Sequence, residues 1–68
     1  MTSFKEANLA RTALKIPLSH HSWVKGLAVE SDGDGFCVVV YVDHIDNQVR
    51  KTIPSVHEGV SIKIEVDS

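Results

Sequence analysis

What this chain lacks narrows its chemistry first. It has one cysteine, so no internal disulfide can reinforce the thin core of a 68-residue chain. A single domain of this size buries only about 60% of the surface that its unfolded form exposes. No stretch approaches the roughly 18 consecutive apolar residues of a membrane span, and no membrane association is expected. The opening residues, Thr2-Ser3-Phe4-Lys5-Glu6, hold no apolar run of signal-peptide type, which makes a reducing cytoplasm the expected compartment. Positive charge is not in excess either. Seven Lys and Arg stand against nine Asp and Glu, so phosphate backbones and anionic lipid gain no general attraction. Lys5, Arg11 and Lys15, with Arg50 and Lys51, read as solvated basic spots, and four aromatic residues are few for base stacking. No nucleic-acid partner is expected. Nucleophile elbows, phosphate-binding glycine loops and paired catalytic carboxylates are missing, so neither a self-sufficient enzyme nor a cofactor is expected.

What is present describes one small α+β domain spanning residues 1–68. Ser3 and Glu6 have capping-box spacing, and an amphipathic helix follows over about residues 3–16. Ala7, Leu9, Ala10, Ala13 and Leu14 share its apolar side, and Pro17 is expected to end it. Trp23 to Ser31 reads as a strand with Leu27 and Val29 on one face and Val24 and Ala28 on the other. Asp32-Gly33-Asp34-Gly35 is a strong hairpin signal. Phe36 to Asp43 is apolar on both faces, the mark of a central strand. Val60 to Asp67 alternates apolar with charged residues, as in a strand wet on one side and suited to an edge. Between them, Ile45, Val49 and Ile53 favour a short helix from about Asp46, although the same residues also fit a third hairpin strand. The expected order is α-β-β-(short α)-β, with the helix on one face of a three-stranded antiparallel sheet in order 1-2-3.

Three groups of residues invite chemistry. Glu30, Asp32, Asp34 and Gly35 match positions 1, 3, 5 and 6 of a calcium-binding loop, but Tyr41 stands where the bidentate acid belongs. A tight turn accounts for the same residues. His20, His21, His44 and Cys37 are the candidates for a metal-dependent or hydrolytic site, the alternative functional reading. Their spacing is not that of a zinc site, and Cys37 sits in an apolar strand far from the electropositive setting of a reactive thiol. No metal is expected. The third group is the sheet face away from the helix, where Val24, Ala28, Cys37, Val39 and Tyr41 would gather, to be covered either by the short segment at 46–53 or by a partner. An open apolar face marks an interface, and oligomerisation offsets a thin core. Trp23, Val39 and Tyr41 are therefore the candidate interface residues, and the expected partner is a second copy or another protein, engaged through this face or a sheet edge.

The segments Trp23-Val24-Lys25-Gly26-Leu27-Ala28-Val29, Asp34-Gly35, Val38-Val39-Val40-Tyr41-Val42, Ile53-Pro54 and Gly59-Val60-Ser61-Ile62-Lys63-Ile64 together carry a family likeness. Over roughly positions 8 to 66 they resemble a small α+β segment that precedes trypsin-like peptidase domains in bacterial proteins. Ala28 stands where that pattern has glycine, and Ser61 where it has proline. The segment is not catalytic in that family, so the resemblance implies no peptidase chemistry for these residues. A looser likeness in element order is to BON domains, although their glycines around the second strand are replaced by the continuous run Val38 to Val42.

Overall fold

The computed structural model describes residues 2–67. Ser3 opens α1 (Phe4–Ser19) with the expected capping box. Its hydroxyl accepts from the Glu6 amide at 3.1 Å, and the Glu6 carboxylate accepts from the Ser3 amide at 3.1 Å. The backbone donor at Ser3, followed by its hydroxyl, holds the Glu6 carboxyl below its ordinary value. Ala7, Ala10, Leu14 and Leu18 form the buried stripe. Leu9 and Ala13, expected on that side, face solvent instead. Pro17 does not stop the helix. It lacks the N–H that would reach the Ala13 carbonyl, but both residues are exposed, so water can satisfy that oxygen. Continuing past Pro17 brings Leu18 into the core at 4% exposure.

β1 (Val24–Asp32) and β2 (Gly35–Val42) form the expected hairpin, with Asp32 opposite Gly35 across the two-residue turn Gly33-Asp34. Gly33 takes the positive φ of 61° that this turn demands. The register slips between Val24 and Gly26, where Lys25 is an extra residue. That bulge turns Val24 toward the helices beside Leu27 and Val29, whereas strict alternation placed it with Ala28.

The ambiguous stretch is a helix, α2 (Asn47–Thr52). Asp46 caps it by accepting from the Val49 amide at 2.9 Å, and this bond lowers the Asp46 pKa from its ordinary value. β3 (Val56–His57) and β4 (Val60–Val66) meet at Glu58-Gly59, both at positive φ as a type I′ turn requires. The expected sheet needs correction here. The described residues form four strands in the order β1-β2-β4-β3, and β4 runs parallel to β2. The cause is the connection: the chain leaves β2, crosses through α2, and re-enters the sheet in the same direction, which a hairpin cannot do. The two-residue β3 lies antiparallel to the start of β4. Class and helix position are as expected; the purely antiparallel three-strand sheet is not.

Both helices pack on one face. Ala7, Ala10, Leu14 and Leu18 of α1 meet Val38, Val40 and Val42 of β2, Val49 and Ile53 of the α2 region, and Val60 and Ile62 of β4. β2 is central, and its Cys37, Val38, Val39, Val40 and Val42 are all at most 2% exposed. Among the described residues no helix is long and apolar enough to cross a membrane.

Candidate functional site

The sheet face away from the helices differs from the apolar patch expected of it. Ala28, Val39 and Lys63 lie side by side across β1, β2 and β4, and Gly26, Tyr41 and Glu65 form the neighbouring row. The charged strand partners then fold over the apolar centre. Lys63 Nζ donates to Asp32 Oδ1 at 3.1 Å, reaching from β4 across β2 to β1. The Tyr41 hydroxyl donates to Glu30 Oε2 and spans β2 to β1. Under these two links Cys37 and Val39 are 1% and 2% exposed although no helix covers them.

The links also set local electrostatics. Donation to Glu30 pushes the Tyr41 pKa up to about 12, and the Asp32 carboxylate raises that of Lys63. Burial pushes the Cys37 thiol up, so it is a poor nucleophile at neutral pH. Each link is solvent-exposed, so water and salt screen it and it adds little stability by itself. Their effect lies in shape: they roof the face with polar groups.

The three candidate interface residues do not form one surface. Val39 is buried and Tyr41 is half-buried on the roofed face. Trp23 packs at the rim of the core on the opposite side, with His21 stacked on its ring at 4.6 Å. The histidines are also dispersed. His20 is the C-cap of α1, His44 contacts Asp46 at 3.1 Å, and His57 lies 3.9 Å from Glu58. Among the described residues no three His, Cys, Asp or Glu side chains could hold a metal ion together. The alternative metal-dependent or hydrolytic reading, built on His20, His21, His44 and Cys37, has no assembled centre to support it.

The strand order brings forward a feature that the sequence did not single out, the outer edge of β1. Residues flanking a two-residue hairpin turn exchange both main-chain hydrogen bonds, so Asp32, Glu30, Ala28 and Gly26 direct their N–H and C=O groups to β2. Leu27, Val29 and Ser31 direct theirs outward. Phe36, opposite Ser31, confirms the phase, because its amide turns away from β1 to the Thr2 carbonyl at 3.0 Å. None of the described residues bonds to the outward groups of Leu27, Val29 or Ser31. Leu27 and Val29 are half-buried, with part of each side chain along this rim. The far side of the sheet is guarded only over the first three residues of β4. β3 pairs with Val60 and Ser61, and the Ser55 carbonyl takes the Ile62 amide at 2.9 Å.

Charge is unevenly spread along the β1 edge. At its start, Arg11, Lys15 and Ser19 of α1 form a shallow cleft with residues 24–27 of β1. Lys25 pairs with Asp43 at 3.1 Å, while Arg11 and Lys15 have no carboxylate partner among the described residues. At the other end stand Glu30, Asp32 and Asp34, with Lys63 offsetting one of them. A preceding two-residue turn and half-buried apolar residues at alternate positions are the sequence signals that bear on this edge; the strand's outermost place in the sheet is a matter of topology. Compared with protein-family models, curated proteins and solved structures, the chain matches none, so its two family likenesses rest on sequence pattern alone.

Proposed function

We propose that this chain is a non-enzymatic protein-interaction module whose docking element is the free edge of β1. One observation carries the reading: a nine-residue strand presents unpaired main-chain groups and half-buried Leu27 and Val29 at the rim of the sheet. Such an edge is a template for another extended segment, with main-chain hydrogen bonds giving affinity and alternate side chains giving selectivity. The roofed face is a weaker candidate, because its apolar residues are already covered. A synthetic peptide of residues 24–32 serves as an extended probe. Titrated into the isotope-labelled chain, it is expected to shift the amides of Leu27, Val29 and Ser31 and to slow their hydrogen exchange. Saturating shifts elsewhere, or none at all, would remove the edge from consideration.

A further inference from the structure

The β1 edge is complementary to itself when reversed, and from this we infer that its partner is a second copy of the chain. The two copies would pair β1 to β1 antiparallel about Ala28, making one continuous eight-stranded sheet. This inference rests on the proposed edge docking and names its occupant.

Three observations select that arrangement. β1 runs from Val24 to Asp32, so Ala28 is its midpoint, and a twofold axis there overlaps the whole strand. In that register Leu27 of one copy faces Val29 of the other, twice. These are residues whose main-chain groups point outward, so each pair can exchange two hydrogen bonds. Their side chains lie on the helix side and would extend the existing core cluster. The two Ala28 residues then meet across the axis as a close pair without main-chain bonds, where small side chains cause no clash.

Charge supplies the third observation. Arg11, Lys15 and Lys25 mark one end of the edge, and Glu30, Asp32 and Asp34 mark the other. Antiparallel pairing sets Lys25 opposite the partner's Ser31, between its Glu30 and Asp32, and brings the acidic turn to the rim of the basic cleft. The match occurs twice by symmetry. A strand acidic throughout would satisfy the cleft but meet repulsion at Glu30 and Asp32. One basic throughout would do the reverse. The bipolar edge therefore fits its own reversed copy better than a strand of either single charge.

The test uses the full chain in sedimentation equilibrium across a dilution series at low salt. A concentration-dependent rise toward twice the 7.5 kDa mass is expected, weakening as salt is added. Lys25→Glu sets an acid opposite the partner's Glu30 and Asp32, and Glu30→Lys with Asp32→Lys sets bases opposite its Lys25. Each variant alone should remain monomeric, and an equimolar mixture should recover the dimer. All of these changes are on exposed side chains, and circular dichroism confirms that each variant is folded. Register is read by Ala28→Cys in a Cys37→Ala background, which should crosslink to a dimer on oxidation while Glu30→Cys does not. A wild-type chain that stays monomeric at millimolar concentration overturns the second-copy inference. Edge docking itself survives that result if the peptide still shifts Leu27, Val29 and Ser31. Dimerisation unaffected by either charge variant overturns the register.

Discussion

Replacing Val49 by alanine tests whether α2 is held by packing or by its own helical preference. α2 has only six residues, far below the length at which an isolated helix is stable in water. Val49 is its one buried residue at 1% exposure, seated with Ile53 in the cluster under the sheet. The substitution removes two methyl groups from a filled site. At about 0.8 kcal/mol for each buried carbon the transfer loss is about 1.6 kcal/mol, before any cavity cost. A total near 2–3 kcal/mol is expected where a chain this short has about 3–10 kcal/mol in all. Urea unfolding followed by Trp23 fluorescence and by circular dichroism measures it, and the thermal midpoint should drop by about 8–20 °C. Arg50→Ala, on the exposed side of the same helix, serves as the control and should stay within about 0.5 kcal/mol. Equal small effects from both variants would mean that α2 is not docked through Val49, and the account of the crossover would fail.

Acid should loosen both helix starts. The folded pKa values of Glu6 and Asp46 are lowered, so their contribution is present above the ordinary values of 4.5 and 3.8 and is lost as pH falls through the depressed ones. Asp46→Asn, which still caps without titrating, should flatten the Asp46 part of the helical signal in an acid titration; an unchanged profile would exclude Asp46 as a source. Pro17→Ala restores the donor to the Ala13 carbonyl inside a continuous helix and should stabilise the fold by about 1–2 kcal/mol in urea. A loss would show that the proline shapes the approach of Leu18. Cys37 should react with a bulky thiol reagent far more slowly than an unfolded control at the same pH, and labelling as fast as the control would refute the polar roof.

Much of the fold is local and was legible on that account. The Ser3–Glu6 box, the turn at Gly33 and the two-sided apolarity of Val38 to Val42 each state their structure within a few residues. The errors arise where distant parts of the chain decide. Leu9 and Ala13 fall on the flank of α1's apolar side, and only the position of the sheet selects Ala7, Ala10, Leu14 and Leu18. One bulged residue, Lys25, reverses the side on which Val24 lands. The parallel pairing of β4 depends on a crossover whose six-residue helix was ambiguous beside a hairpin strand. The roof over Cys37 is made by partners 31 and 11 residues apart, Lys63 with Asp32 and Tyr41 with Glu30, which no periodicity encodes. The free edge of β1 was hidden for the same reason, since strand order is a property of the whole sheet.

The mixed sheet also divides the chain in time. The β1–β2 hairpin closes through a two-residue turn, a pairing that needs little chain and belongs to the microsecond range. Val38 meets Ile62 only after the intervening chain has formed α2 and looped back, with more loop entropy to overcome. Until then the central strand has one bare side, and both edges of the young hairpin are open. Synthesis from the N-terminus lengthens that interval, because β4 is made after β1 and β2. A chain caught before β4 pairs would expose more sheet edge than the finished fold, so speeding the closure of α2 should lower light scattering during refolding without changing the finished surface.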